Sequence, residues 1–114
     1  MYKMVGYWSA PKPADIDAFE RYYLERHAPL TATLPRLRRL VLLRAQPGPD
    51  GAEPAFYRLA ELHFDSAEDL AQATTTPEWA AIFEDGARLA ERFGVSGNAG
   101  FGCAAVFPLS DATR

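Results

Sequence analysis

FERYYLERHAPLTATLP, residues 19–35, decides how the rest of the chain is read. An apolar stripe begins just before it at Ile16 and continues through Phe19 and Tyr23, the three- and four-residue spacing of an amphipathic helix. Asp15 or Asp17 can cap that helix, and acids in its first turn suit the positive end of the helix dipole. At about 100° per residue, His27 falls about 20° from Ile16 and therefore belongs to the inward face at the helix end. Pro29 disfavours helical geometry at Ala28 and interrupts the hydrogen-bond ladder, which predicts a break after His27. Proline also suits the first turn of a helix, so a short resumed piece is expected over residues 30–34, ended by Pro35.

Upstream, residues 2–9 (YKMVGYWS) alternate: Tyr2, Met4, Gly6 and Trp8 point one way, Lys3, Val5, Tyr7 and Ser9 the other. This is a strand, and Pro11 and Pro13 end it because proline cannot continue a ladder. Downstream, residues 37–46 (LRRLVLLRAQ) read as a second strand, with Leu37, Arg39, Val41 and Leu43 on one face and Leu40 and Leu42 on the other. Residues 47–54 (PGPDGAEP) carry turn chemistry throughout. A third strand follows over residues 55–64, with Phe56, Ala60, Leu62 and Phe64 opposite Tyr57, Leu59, Glu61 and His63. Ser66-Ala67-Glu68-Asp69 resembles a capping box with Asp in place of Glu and opens a short helix to about Ala73. Thr76-Pro77 opens a longer one, whose stripe of Trp79, Ile82, Phe83, Gly86, Leu89, Ala90 and Phe93 ends before Gly94. Residues 94–100 read as a loop and residues 101–107 as a fourth strand.

The order is βαββαβ, an α+β ferredoxin-like pattern: a four-stranded antiparallel sheet with its helices on one face. Residues 1–114 fit a single domain. If helices covered one face only, the other should read polar, yet the first three strands carry large apolar residues on both parities. No element is left over to cover the second face, which predicts a homodimer packed through its sheet faces.

Composition excludes several classes. A net charge of −3 with arginines scattered along the chain gives no footprint for nucleic acid. No apolar run approaches the ~20 residues needed to span a membrane. The N-terminal residues read directly into a strand without an apolar signal core, and the one cysteine, Cys103, excludes an internal disulfide; both suit a cytoplasmic protein. Two histidines and one cysteine cannot by themselves build a tetrahedral zinc site, so no metal is expected. The glycine-rich residues 94–100 lack the strand-before, helix-after context of a phosphate loop, and no nucleotide or flavin fingerprint occurs. The expectation is an activity without a cofactor.

Phe19-x-x-Tyr22-Tyr23-x-x-x-His27-x-Pro29-Leu30, followed by Leu34-Pro35-x-Leu37, resembles the EthD family of dimeric α/β-barrel proteins. Glu61-Leu62-x-Phe64-Asp65-Ser66 and Thr76-Pro77-Glu78-Trp79 are similar to that family's third strand and second helical region. The resemblance covers almost the whole chain. It implies two sheets pairing into a dimeric α/β barrel, a fold similar to that of muconolactone isomerases and cofactor-free quinone-forming monooxygenases. What it implies about activity is cofactor-independent oxygenation, isomerisation or cyclisation of a small aromatic, polyketide-like or other apolar metabolite. A non-catalytic module that binds a small molecule or haem is the alternative.

Several residues are candidates for such chemistry. His27, inward-facing beside Tyr23, is placed to act as a general acid or base near neutral pH; alternatively its ring bonds the carbonyls that Pro29 leaves free. With His27 and Tyr23 as the catalytic candidates, Tyr7, Trp8, Tyr57 and Phe83 suit the wall of a pocket for a planar apolar molecule. Phe83 and Trp79 also read as plain core. Arg39, alone on an apolar strand face, could hold a carboxylate or phenolate, or pair with an acid across the dimer. His63 and Glu61 share a strand face, which suits either a substrate contact or a polar pair at the dimer seam. Asp85 lies about 120° from the long helix's stripe and reads as a salt-bridged flank that could reach a pocket rim. Gly86 falls on the stripe itself, where glycine is less favourable than alanine by about 1 kcal/mol unless close approach or a ligand requires it.

Overall fold

Alternation in residues 2–9 produces β1 (Tyr2–Trp8), the centre of the structure, a computed structural model that describes residues 1–111. The chain continues through a helical segment to β2 (Arg39–Arg44), β3 (Arg58–Phe64), two helices and β4 (Gly97–Cys103). The strands form one antiparallel sheet in the order β2-β3-β1-β4. Ferredoxin-like βαββαβ architecture, expected from the element order, is thus the fold. Register brings Met4 beside Leu62, which lies opposite Leu40, and all three face the helices.

The helical segment departs from the expected break. A 3-10 turn (Pro13–Asp15) leads into α1 (Ile16–Tyr22), and neither Asp15 nor any other side chain caps it by a hydrogen bond. The chain then widens into a π-turn over Tyr23–His27 and passes without interruption into α2 (Ala28–Thr31). Ala28 N–H donates to the Tyr23 carbonyl five residues back. Pro29 has no N–H and its ring would press on the carbonyl four residues earlier. One wider turn absorbs that conflict, so helical geometry survives at His27 and Ala28. Beyond α2 the left-handed Arg36 (φ 68°) turns the chain, which leaves Leu37 in the core rather than on β2.

The downstream helices begin as their caps dictate. Ser66 Oγ accepts from Asp69 N–H to open α3 (Ala67–Ala73), and Thr76 Oγ1 accepts from Trp79 N–H to open α4 (Pro77–Phe93). Gly94, at φ 64°, closes α4 in the left-handed conformation that glycine adopts without penalty. One cluster of buried side chains joins Phe19 and Tyr23 to Leu89, Phe93 and Val95; another joins Leu34, Leu62, Phe64, Leu70 and Ala73.

The fourth strand runs from Gly97 to Cys103, not over residues 101–107, and Cys103 is exposed at its end. Glycines at 97, 100 and 102 hide its propensity, but pairing with β1 is a backbone matter and overrides it. Gly97 has a side-chain reason as well. A Cβ there would lie 2.8 Å from Trp8 Cζ3, so only glycine lets the indole lie across the strand. On the sheet face away from the helices, Val5, Val41 and Leu59 are half-buried while Tyr7 and Leu43 are exposed. Among the described residues, no helix or strand is laid over that face.

Candidate active site

Between the helices and the sheet lies a cavity of about 410 Å³. Its floor is the helix-facing side of the sheet, where Gly6 and Ala60 sit as neighbours in register and leave space that larger residues would fill. Ile82, Phe83 and Ala87 of α4 form the opposite wall, and Trp8 and His27 close one end. The lining is overwhelmingly apolar, with polar groups supplied by few residues, among them His27, Tyr23, Thr31 and Asn98. That composition suits a planar apolar molecule oriented by one or two polar contacts.

His27 is 9 % exposed and its ring is held from behind. Nδ1 lies 2.9 Å from Asp85 Oδ2, and Tyr22 Oη donates to Asp85 Oδ1 at 2.6 Å. Arg88 Nη2 stands 3.5 Å from the same Oδ1. Burial alone would push the Asp85 carboxyl up. The hydrogen bonds from Tyr22 and His27, with the charges of His27 and Arg88, outweigh it and hold Asp85 below the usual carboxylate range. An ionised Asp85 can only accept, so Nδ1 carries the proton and Nε2 is the nitrogen left for a molecule in the cavity. In the neutral ring Nε2 is a base; once it takes a proton, Asp85 stabilises the imidazolium. Thr31 Oγ1 donates to the His27 carbonyl at 2.9 Å, and the Nδ1 of the imidazole is engaged by Asp85 rather than by a carbonyl that Pro29 leaves free.

Aromatic rings fix the imidazole further. Trp8 meets it edge-on with centroids 5.9 Å apart, and Tyr23 lies near-parallel at 6.0 Å. Burial pushes the Tyr23 phenol up to about 12, against the pull of the Arg58 cation, so Tyr23 stays protonated at neutral pH and is a donor, not a base. Gly86 faces the same place: a Cβ would stand 3.6 Å from Trp8 Cη2 and 3.7 Å from His27 Cε1, ordinary contact distances.

A second buried network sits on the other side of Tyr23. Arg58, inward on β3, donates to both oxygens of Glu20, Tyr57 Oη donates to Glu20 Oε2 at 3.0 Å, and Arg44 Nη1 lies 3.5 Å from Oε1. Burial would raise Glu20, but these partners bring it below the usual range. Arg58 also lies 5.1 Å from the Tyr23 ring centre.

The structure therefore gathers His27, Tyr23, Trp8 and Phe83 around one cavity. Tyr7 adjoins Trp8 on β1, but by alternation its side chain belongs to the opposite sheet face, where it is exposed. Tyr57 packs against Phe19 and serves Glu20 instead. Arg39 is exposed on the uncovered sheet face, where it pairs in register with His63. His63 Nε2 lies 3.0 Å from Glu61 Oε1, which also accepts from Lys3 Nζ at 2.8 Å. Asp85 stands behind His27 rather than at the rim, and it is 2 % exposed. A flank of α4 became interior because α4 lies beside the π-turn, so its flank faces a seam between helices instead of water. Tyr22, Glu20 and Arg58 were not legible as site residues. The available signal was Arg58 itself, a charge at an inward strand position that requires a partner. Among the described residues, no three His, Cys, Asp or Glu side chains are grouped closely enough to hold a metal ion, and no helix is long and apolar enough to cross a membrane.

The EthD domain matches residues 12–92. An EthD family protein from Bacillus halodurans superposes with a TM-score of 0.74 at 32% identity, covering 88% of this chain and 96% of that one. An uncharacterized 11.0 kDa protein in the thcB-thcC intergenic region of Rhodococcus erythropolis is 36% identical over 66 residues. The match takes in 58% of this chain and spans 63% of that relative's length. SnoaB, a cofactor-independent oxygenase from Streptomyces nogalater, shares the fold with a TM-score of 0.59 at 15% identity, over 93% of this chain and 94% of that chain. The chain belongs to the EthD family.

Proposed function

We propose that this EthD protein is a homodimeric, cofactor-independent enzyme in which His27 Nε2 moves a proton on a small planar apolar substrate. The observation that carries the reading is the His27–Asp85 pair, 2.9 Å apart, with its free nitrogen beside an apolar cavity of about 410 Å³. Structural proteins have no need to aim a charge-backed imidazole at a cavity. Proton abstraction from a phenol or an acidic C–H next to an aromatic ring is the step this geometry serves: base at Nε2, charge held by Asp85, and an apolar lining that includes Trp8, Phe83 and Ile82. Tyr23 would hold the substrate as donor. Oxygenation by O2 is one fate of the carbanion or phenolate so formed; isomerisation or ring closure is another. That SnoaB, of the same fold, is a cofactor-independent oxygenase supports the first at the level of fold only.

Anthrone is a suitable probe, since deprotonation at its methylene and reaction with O2 give anthraquinone and water. Trp8 and Trp79 both line the cavity, so binding is read as quenching of tryptophan fluorescence and turnover as quinone absorbance. The expected result is saturable quenching by wild type and by His27→Gln alike, with turnover in wild type reduced about 10²- to 10⁴-fold in the variant. Saturable quenching with equal, background turnover in both proteins would instead favour the non-catalytic binder. The dimer is supported by Val5, Val41, Leu43, Leu59 and Tyr7 on a sheet face without cover. Sedimentation as a monomer at micromolar concentration would remove it.

A further inference from the structure

We propose a second ligand site, on the outer side of the helix layer, that binds the oxyanion group of a small carboxylate or phosphate. It is a pocket of about 200 Å³ where α1 and the π-turn meet the end of α4, lined by Ala18, Arg21, Tyr22, Glu25, Arg26 and Arg92. Three guanidinium groups thus face one carboxylate in a chain whose net charge is −3. Arg36, Arg38, Arg44, Arg58 and Arg88 each reach an acid within 4 Å. Arg21, Arg26 and Arg92 form no ion pair among the described residues, and neither does Arg39, which stands alone on the outer sheet face, whereas these three line one pocket.

Their geometry favours a ligand. The Arg26 guanidinium carbon lies 5.7 Å from the Tyr22 ring centre, and that of Arg92 lies 5.5 Å from the same ring and 4.9 Å from Phe93. Packing against aromatic rings restrains the planar cations and leaves N–H edges for paired bonds to two oxygens of one anion. Arg92 is in the last turn of α4, where the dipole favours a cation, so it is held in place without needing an acid of its own. Tyr22 joins the two sites: its ring lies under the arginines and its hydroxyl holds Asp85. Helices lie on the side of the sheet opposite the proposed dimer face, so assembly leaves this pocket open. The site stands whether or not His27 is catalytic.

Calorimetric titration of the full-length protein at low and constant chloride tests it, with inorganic phosphate in one arm and benzoate in the other. Saturable binding of one anion per chain is expected in at least one arm, and which arm saturates identifies the oxyanion. Arg92→Gln and Arg26→Gln should each weaken it at least tenfold. Arg92→Lys should weaken it less, because charge remains while the fork is lost. Arg38→Gln, beyond the far edge of the sheet, serves as control and should leave binding unchanged. All three positions are exposed, and unchanged far-UV circular dichroism verifies the fold. Absence of saturable heat in both arms up to about 10 mM, or an equal loss in Arg38→Gln, would overturn the site and assign any attraction to diffuse charge.

Discussion

Glu20, half-buried, and Asp85, fully buried, lie on either side of the Tyr23–His27 turn, each bonded by a tyrosine and each held below the usual carboxylate range despite desolvation. Their partners differ. Glu20 is answered by Arg58, a cation at every accessible pH, so that network can only hold β3 to α1. Asp85 is answered by His27, whose ring can gain and lose a proton and which lines the cavity. The same electrostatics thus yields a fastener in one place and, in the function proposed above, a proton-transfer group in the other. What separates them is a titratable partner and access to a cavity, not the strength of the carboxylate's own environment.

Breaking the fastener should have the largest effect. Arg58→Met leaves the part-buried Glu20 without its main counter-charge; a fully buried pair that loses one partner costs about 3–5 kcal/mol, so a loss of about 2–3 kcal/mol is expected here. Urea denaturation should register that loss, while the folded fraction keeps its anthrone turnover. A loss below about 1 kcal/mol would mean water reaches Glu20 and the network is a surface pair in effect. Asp85→Asn tests the other carboxylate in the opposite sense. It removes the charge that stabilises the imidazolium and the acceptor that fixes its tautomer, so turnover should fall about 10²-fold, with anthrone quenching changed little. If stability fell and turnover per folded molecule did not, Asp85 would be a fastener like Glu20.

Acid separates the two less sharply, because both carboxyls have lowered values in the folded protein. A depressed carboxyl contributes stability that is fully present above its ordinary value, here 4.5 for Glu20 and 3.8 for Asp85, and that is lost as pH falls through the folded value. Stability measured in urea should therefore be level down to about pH 5 and decline below about pH 4. Glu20→Gln and Asp85→Asn should each flatten that decline, since each deletes one of the protons taken up on acid unfolding. A decline that began near pH 6 would point to a different group.

Element order, inward stripes and both downstream caps were legible because they depend on local residue types: Ser66, Thr76 and Gly94 act where their side chains or lack of one dictate. His27 was legible as inward because a helical stripe carries its own geometry. Asp85 was not, since its burial depends on which helix lies beside α4, and that is a long-range fact. Likewise the π-turn could be read only as a break: proline's conflict is local, but its relief by one extra residue depends on the packing of Tyr23 and His27. The start of β4 was hidden by its glycines; the role of Gly97 is set by Trp8 across the ladder, a long-range contact.

The smallest change concerns the hydroxyl of Tyr22. Tyr22→Phe keeps the ring that Arg26 and Arg92 pack on and deletes one hydrogen bond to Asp85, the 2.6 Å contact at Oδ1. A hydrogen bond to a charged group contributes about 1.5–3 kcal/mol, and Arg88 at 3.5 Å remains to offset part of that loss, so a decrease near the low end is expected. Asp85 loses one of the interactions that depress it, so its carboxyl should rise and the acid decline in stability should begin at higher pH. At neutral pH Asp85 would still be ionised, and turnover should fall about tenfold or less. The ratio between the variants then carries the argument. If Asp85 acts through its charge on His27, Tyr22→Phe is the milder lesion near pH 7 and approaches Asp85→Asn only as pH falls and the carboxyl is protonated. If the two lesions match at every pH, the hydroxyl rather than the charge sets the His27 orientation, and the difference between the Asp85 and Glu20 networks narrows to one of position.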